Sequence, residues 1–293
     1  PDADIVEFTG WSKALGPAFG FLNAQQIAAA SAAIGAILEY TASLLDRRRE
    51  GPQDDLITRL LEAEVDGERL TDAEVADMVV NLAVGGHDTS TGQIACTLLS
   101  LFEHPEVIAA LRSDPELVPS AVEESLRYNP AIGAIGRVAL VDVEYDGLHI
   151  PAGSIVALSS DGANHDTAGY PEPGRFLRTR FDAEDARRLM TFGGGPHFCL
   201  GAAMARMVVQ VAVAAVLQLP EPLELTMEPA EIDWISILAS YPGRLPIRCG
   251  SYHPSANSSV GSVCEAASLR LFDRATRGGA LRCERPHLEA LAR

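Results

Sequence analysis

The stretch that decides the fold is Phe192-Gly193-Gly194-Gly195-Pro196-His197-Phe198-Cys199-Leu200-Gly201. Its glycines allow the backbone to approach a flat ligand closely, because glycine has no Cβ atom. We predict that Cys199 lies at the start of an apolar helix ending near Leu217, where free N–H groups and partial positive charge favour the thiolate. A lone cysteine is more often buried and inert. The grouping of Phe, Gly, His and Cys in one short stretch instead favours a functional site.

The pattern formed by Phe192, Gly195, His197, Cys199 and Gly201 resembles the haem-thiolate signature of the cytochrome P-450 monooxygenases. The resemblance covers most of the chain, through three further motifs in the family's order and spacing, and it is to the soluble bacterial branch. It implies haem b as the cofactor, with these five residues at the haem and Cys199 as the axial thiolate ligand of the iron. The fold it implies is mainly α with small β-sheets, the C-terminal portion of the P-450 fold.

A second motif, Gly85-Gly86-His87-Asp88-Thr89-Ser90, lies within a long predicted helix. Thr71-Asp72-Ala73-Glu74 opens that helix as a capping box, and the apolar pattern continues to about Phe102. Glycine and threonine are poor helix formers, so the hydrogen-bond ladder is weak at the motif. Taken alone, the motif indicates a tolerated kink. By resemblance it matches the oxygen-activation site of the family, which implies that Asp88 and Thr89 are catalytic and relay protons.

The third motif, Glu124-Ser125-Leu126-Arg127, places a carboxylate and a guanidinium on one face of a predicted helix. Alone, such a pair is usually a solvated surface contact of little energetic value. Together with Pro173-Gly174-Arg175-Phe176, it resembles the Glu-x-x-Arg and Pro-x-Arg-Phe lock of the family. The resemblance implies that Arg175 joins Glu124 and Arg127 in a buried network that holds the haem loop.

Arg137, just before the first predicted strand, is typical of a surface residue when taken alone. By resemblance, Arg137 and His197 donate hydrogen bonds to the haem propionates, since a planar guanidinium matches a carboxylate. The positions that face the substrate in the family are mostly small or aliphatic here, which suits a mid-sized apolar molecule. They are Asn81, Val84, Gly85, Ile132, Ala134, Ile135, Ile237 and Leu238.

The rest of the pattern predicts helices and a few short strands. Asn23 caps a long amphipathic helix that ends at Arg47-Arg48-Arg49, where cations suit a helix C-terminus. Shorter helices are predicted over residues 54–64, 105–112 and 118–128, and strands over 138–145, 148–150 and 155–158. The irregular stretch 159–198 is rich in Gly and Pro, and loops of this length are usually functional.

The chain has 293 residues, with 40 acidic and 23 basic side chains and a formal net charge of −17. This balance argues against a nucleic-acid binder, which carries the opposite sign. The most apolar stretch, residues 202–219, is interrupted by Arg206 and two glutamines, so it indicates a buried helix rather than a membrane span. The cysteines follow no metal-ligand spacing, which favours a reducing compartment. We expect a cytoplasmic protein with no membrane span.

The composition changes near Arg248. Residues 249–293 hold six basic and four acidic side chains and open on a Ser/Gly-rich segment. We predict a haem-binding monooxygenase domain over residues 1–248, incomplete at its N-terminus, and a disordered tail over residues 249–293. An out-of-frame read or vector-derived sequence would also explain the tail. Family members have a longer segment ahead of the oxygen-activation motif than the 84 residues present here.

The resemblance implies a haem-thiolate monooxygenase that inserts one oxygen atom from O₂ into a lipophilic small-molecule substrate. A separate ferredoxin and ferredoxin reductase would supply electrons, and the candidate docking contacts are Arg112, Arg187, Arg188 and Arg206. Two alternatives stay open: a non-catalytic truncated remnant, and a haem-binding sensor or scaffold. The short N-terminal segment and the unusual tail favour the remnant. Asp88 and Thr89 count against a sensor, because a sensor needs no proton relay.

Overall fold

The structure, a computed structural model, describes residues 4–15, 23–182, 189–236 and 240–250. The chain divides into two compact units, residues 1–88 and 89–293. In the described ranges helices predominate, and the strands form small antiparallel sheets of two strands each. The predicted fold class, mainly α with small β-sheets, is therefore confirmed.

The first unit contains α1 (Ile5–Leu15), α2 (Ala24–Glu50), α3 (Leu56–Glu62), a hairpin of β1 (Glu64–Val65) and β2 (Glu68–Arg69), and α4 (Asp72–Gly86). Asn23 caps α2 and Thr71 caps α4, each in a capping box that pairs it with the third helical residue. Both predicted helix starts are confirmed. The apolar faces of α1, α2 and α4 meet in a small cluster that includes Leu15, Ile37 and Ala83.

Among the single helices of the described ranges, α2 has the length and apolar composition needed to cross a membrane. Within its unit it packs against α1, α3 and α4, and Ile37 on its inner face is fully buried. The expectation that the protein has no membrane span stays a prediction.

The helices of the second unit are α5 (Asp88–Phe102), α6 (Pro105–Ser113), α7 (Val118–Tyr128), α8 (Ser160–Asn164) and α9 (Ala202–Leu217). Apolar side chains of α5, α6, α7 and α9 form its core, in which Leu111, Val122 and Val209 are fully buried. The bounds of α7 are those predicted. Burial of each aliphatic side chain stabilises the folded state by about 1.5–3 kcal/mol, so this core stabilises the elements that carry the site.

The long helix predicted from Thr71 to about Phe102 is two helices in the structure. Helix α4 ends at Gly86 and α5 begins at Asp88, with His87 between them. The break falls at the paired glycines, where low helix propensity indicated a weak hydrogen-bond ladder. It places Asp88 and Thr89 in the first turn of a helix.

The strands of the second unit are β3 (Ala134–Val138), β4 (Val143–Tyr145), β5 (Leu148–Ile150), β6 (Ile155–Ser159), β7 (Leu223–Leu225), β8 (Trp234–Ser236), β9 (Ser240–Pro242) and β10 (Ile247–Cys249). They pair as β3–β6, β4–β5, β7–β10 and β8–β9. The β4–β5 hairpin turns at Asp146-Gly147, with φ of 49° and 77°, the left-handed pair that a two-residue turn requires.

The single strand predicted over residues 138–145 is interrupted. Strand β3 ends at Val138 and β4 begins at Val143. Between them, the Ala139 carbonyl accepts a hydrogen bond from the Gly153 N–H at 2.7 Å, and the Asp142 side chain accepts one from the Ala152 N–H at 2.8 Å.

Candidate functional site

The Cys199 loop is closed by backbone hydrogen bonds. The Cys199 N–H donates to the Phe192 carbonyl at 3.0 Å, and the Phe198 N–H donates to the Gly195 carbonyl at 3.0 Å. Gly193 and Gly195 have φ of 70° and 67°, a left-handed conformation that strongly favours glycine. The loop therefore doubles back and brings Cys199 beside Phe192, with the cysteine side chain exposed.

Helix α9 starts later than predicted. Its first residue is Ala202 and its N-cap is Gly201, so Cys199 lies ahead of the first turn rather than in it. The Ala202 N–H donates to the Cys199 carbonyl at 3.3 Å. The helix thus fixes the backbone of the cysteine, and the loop rather than the helix determines where its thiol points.

Phe192 joins the loop to the core. Its side chain is 9% exposed and packs edge to face against Phe198, with ring centroids 6.4 Å apart. The Arg206 guanidinium of α9 lies over the same ring, 4.4 Å from its centroid. On the other side of the loop, a Cβ on Gly193 would come within 3.2 Å of Ile135 Cδ1. The glycine therefore permits close packing of β3 on the loop.

The chemistry of this loop fits a haem. Among the described residues there is no group of three His, Cys, Asp or Glu side chains that could hold a metal ion, and the loop itself presents the single thiol of Cys199. Leu200 and Met190 beside it are 75% and 40% exposed. Arg137 and His197 are exposed and carry N–H donors. A single soft ligand, apolar side chains and N–H donors suit a flat apolar ring that brings its own iron and carries carboxylates.

A buried ion pair lies behind the loop, on α7. Glu124 and Arg127 are both fully buried. Arg127 donates to Glu124 through Nε at 2.9 Å and Nη2 at 2.8 Å, and its remaining N–H groups reach the carbonyls of Asn164, Pro173 and Arg175 at 2.8–3.1 Å. Because each charge has several hydrogen bonds, the pair can persist without water.

The third member of this network is Arg180 rather than Arg175. The Arg180 Nε donates to the two Glu124 oxygens at 3.3 and 3.2 Å, and its side chain is 9% exposed. The Arg175 side chain turns outward to Glu172 at 2.7 Å and is 64% exposed. The prediction for Arg175 is corrected in this respect, since only its carbonyl enters the network. Glu172, with φ of 48°, lies in a turn in which its carbonyl accepts a hydrogen bond from the Arg175 N–H at 3.0 Å.

Asn164 connects the ion-pair network to the start of the cysteine loop. Its Oδ1 accepts a hydrogen bond from the Met190 N–H at 2.9 Å, and its Nδ2 donates to Thr191 Oγ1 at 2.8 Å. Thr191 in turn donates to the Leu126 carbonyl of α7 at 2.6 Å. Asn164 is fully buried. Nothing in the sequence spacing pointed to Thr191 or Arg180.

Helix α5 holds the segment that follows α7. Gln93 accepts a hydrogen bond from the Ala131 N–H at 2.9 Å and donates to the Asn129 carbonyl at 3.2 Å. The Ala131 carbonyl accepts from the Ser240 N–H at 2.7 Å. A Cβ on Gly92 would lie 2.5 Å from the Tyr241 ring, so β9 sits directly on the helix backbone. This arrangement positions the predicted pocket residues that follow Ala131.

The predicted pocket residues fall in both units. Ile132, Ala134 and Ile135 are half-buried on and before β3, and Ile135 approaches the cysteine loop as described. Asn81, Val84 and Gly85 belong to α4, in its second half. Ile237 and Leu238 lie outside the described residues, as do Arg187 and Arg188.

Two cysteines of the second unit differ sharply in environment. Cys96 on α5 is buried, with its Sγ 3.5 Å from the Ser240 carbonyl, and burial raises its pKa to about 12. Cys199 is exposed. Only the second is placed to meet a ligand that arrives from solvent.

Comparisons with known proteins identify the family. The family model described as Cytochrome P450 matches residues 21–230. Cytochrome P450 107B1 of Saccharopolyspora erythraea is 36% identical over 252 residues, which cover 85% of this chain and 60% of the relative. Nocardicin C N-oxygenase of Nocardia uniformis subsp. tsuyamanensis is 41% identical over 224 residues, 74% of this chain and 54% of the relative.

Solved structures give the same result for the fold. The ligand-free structure of Cytochrome P450 TbtJ1 superposes with a TM-score of 0.78 at 34% identity, over 85% of this chain and 65% of that one. Cytochrome P450 CYP109Q5 from Chondromyces apiculatus gives 0.75 at 33% identity, over 85% and 60%. The class of protein is therefore defined by a mainly helical fold in which one loop presents a cysteine thiol. The chain belongs to the cytochrome P450 family. It spans less than two thirds of the length of these relatives.

Proposed function

We propose that the chain is part of a haem-thiolate monooxygenase that inserts one oxygen atom from O₂ into a lipophilic small molecule. The observation that carries the proposal is the Cys199 loop, in which left-handed Gly193 and Gly195 and the Cys199–Phe192 hydrogen bond hold an exposed thiol. A cysteine thiolate bound to haem iron would donate electron density to the iron, which favours cleavage of the O–O bond.

The residues of the loop divide the work of holding haem b. Cys199 would bind the iron, and Phe192, Gly195 and Gly201 would shape the loop that presents its thiol. His197 and Arg137 are exposed and would donate hydrogen bonds to the propionates. Arg137 now donates to the Gly136 carbonyl at 2.8 Å, an adjacent backbone contact that it can exchange for a carboxylate.

Asp88 and Thr89 would hold and transfer protons. They are the first two residues of α5, and Asp88 Oδ1 lies 4.0 Å from His87 Nε2. A carboxylate and a hydroxyl side by side can exchange protons with water and pass them to a reacting group within hydrogen-bond reach. The half-buried aliphatic residues Ile132 and Ile135 would exclude water from the substrate.

The names of the relatives support this reaction class. They include Cyclomarin C epoxidase CymV of Salinispora arenicola and Vitamin D(3) 25-hydroxylase of Pseudonocardia autotrophica, and epoxidation and hydroxylation both transfer one oxygen atom. We propose that electrons come from a separate ferredoxin and ferredoxin reductase. The acidic chain, which carries a single lysine, Lys13, is compatible with a cytoplasmic protein.

The experiment is a reduced, carbon-monoxide-bound difference spectrum of the purified chain loaded with haem. We expect a strongly red-shifted Soret band, its loss in Cys199→Ser, and its retention in the control Cys249→Ser. A band at the unshifted position would contradict the assigned ligand. No haem uptake at all would favour the truncated remnant for this chain.

A second measurement separates the oxygenase from the haem-binding sensor. The loaded chain is supplied with a chemical electron donor, and O₂ consumption is recorded for the unsubstituted chain and for Thr89→Ala. A sensor without oxygen chemistry predicts the same slow rate for both. The monooxygenase predicts a rate and a product distribution that change when the Thr89 hydroxyl is removed.

A further inference from the structure

A second ion pair lies next to the buried one on α7. Glu123 accepts a hydrogen bond from the Nε of Arg206 on α9, and Arg206 Nη2 lies 3.3 Å from the second Glu123 oxygen. Successive residues of a helix point about 100° apart, so Glu123 and Glu124 engage different partners. The first reaches α9, and the second reaches Arg180.

Arg206 also contacts the cysteine loop. Its guanidinium lies 4.4 Å from the centre of the Phe192 ring, and its Nη1 donates to the Ala202 carbonyl at 3.4 Å. Phe192 is the residue whose carbonyl accepts the Cys199 N–H. A continuous set of contacts therefore runs from Glu123 through Arg206 and Phe192 to the backbone of the cysteine.

We propose that Arg206, held by Glu123, is a positioning residue for the thiolate. It fixes the plane of the Phe192 ring and, through the Phe192 carbonyl, the direction in which Cys199 faces the haem. This inference rests on the proposed function. It replaces the expectation that Arg206 docks an electron donor, because Glu123 neutralises its charge and its side chain is only 30% exposed.

The side chain at this position must be arginine for the arrangement to work. A planar guanidinium can bind a carboxylate through its edge while its face lies on an aromatic ring. A lysine ammonium can keep the charge but cannot do both. Arg206→Lys therefore tests the geometry while leaving the net charge unchanged.

The main test is the carbon-monoxide difference spectrum of the haem-loaded chain, in which the red-shifted and unshifted Soret bands report thiolate and other ligation. We expect Arg206→Lys and Glu123→Gln each to lower the ratio of the two bands about tenfold, since the first removes the guanidinium from the Phe192 ring and the second removes the carboxylate that holds it there. The matched control is Arg248→Lys, which alters an exposed arginine–glutamate pair of the same unit and should leave the ratio unchanged within twofold.

A second readout needs no haem. Urea unfolding of the unloaded chain is measured for Phe192→Leu, Arg206→Gln and the double variant. We expect the effect of Phe192→Leu on the unfolding equilibrium constant to be about fivefold smaller in the Arg206→Gln background than in the unsubstituted chain. Arg206→Gln has already removed the coupling between the two side chains.

The outcomes separate the inference from the proposed function. Additive effects in the unfolding cycle, or a loss of stability with an unchanged band ratio, would overturn the positioning role and leave Arg206 as a brace. An unsubstituted chain that binds haem without the red-shifted band would overturn the proposed function, and the positioning role with it. A changed ratio in both variants together with non-additive unfolding supports the inference.

Discussion

Replacement of Arg180 should destabilise the protein far more than replacement of Arg175. Arg180 donates to both oxygens of buried Glu124, and its two Nη atoms reach the carbonyls of Pro171, Glu172 and Arg175 at 2.6–3.3 Å. Arg175 makes one contact with Glu172 at the surface. The comparison of Arg180→Met with Arg175→Met therefore tests which arginine completes the network.

The expected loss of stability depends on the hydrogen bonds that Glu124 keeps when Arg180 is replaced. Breaking a buried ion pair by removing one partner costs about 3–5 kcal/mol. Glu124 keeps the two hydrogen bonds from Arg127 and one from the Leu177 N–H at 2.8 Å, so we expect the lower end, about 3 kcal/mol. An exposed pair such as that of Arg175 contributes about 0.5 kcal/mol or less. At about 2–4 °C per kcal/mol, the melting temperatures should fall by about 6–12 °C and about 1–2 °C.

The assay is thermal unfolding of the purified chain at neutral pH, followed by circular dichroism, with Arg59→Met as a control. Arg59 pairs with Asp54 in an exposed contact of the first unit, and its loss should shift the midpoint no more than that of Arg175. Equal shifts for Arg175→Met and Arg180→Met, or a shift below about 2 °C for Arg180→Met, would refute the reasoning.

Three further changes test other parts of the site. Gly92→Ala places a methyl group against the Tyr241 ring; we expect a loss of about 1–3 kcal/mol in urea unfolding, which Tyr241→Ala should partly relieve. Asn164→Ala leaves a buried backbone N–H without its acceptor and should cost about 2–3 kcal/mol in the same assay. In native iodoacetamide labelling at pH 8, Cys199 should react and Cys96 should not: a pKa of about 12 leaves about one thiol in ten thousand ionised, and labelling of Cys96 before unfolding would contradict its burial.

Local signals in the sequence predicted the helix ends well where a side chain determines them. Asn23 and Thr71 begin helices as capping boxes, and the apolar period gives α7 both its ends. The start of α9 was placed too early because the apolar pattern begins at Cys199, whereas the first helical residue follows Gly201. A loop that closes on its own backbone, through Phe192 and Gly195, leaves no side-chain signal at that boundary.

The buried network shows what the sequence could not determine. Glu124 and Arg127 are fixed by helical spacing, so their pairing could be predicted. The choice between Arg175 and Arg180 depends on the turn at Glu172, whose positive φ is uncommon for a residue other than glycine. Asn164 lies far from the cysteine loop in sequence and meets it only through the tertiary fold. Contacts of this kind follow from the path of irregular segments, and spacing does not encode that path.

Helix α7 explains how an irregular loop can present an exposed thiol in one place. The segment that bears Cys199 is attached to α7 at two points. Before the cysteine, Thr191 donates to the Leu126 carbonyl, and after it Arg206 binds Glu123. A loop fixed at two points to one packed helix has few conformations left to lose when a ligand binds, because its ordering has already been achieved on folding. The buried Glu124–Arg127 pair lies on the same helix. We propose that its role in ligand binding is indirect: it fixes the path of the chain around α7, and α7 in turn fixes both ends of the segment that carries the thiol.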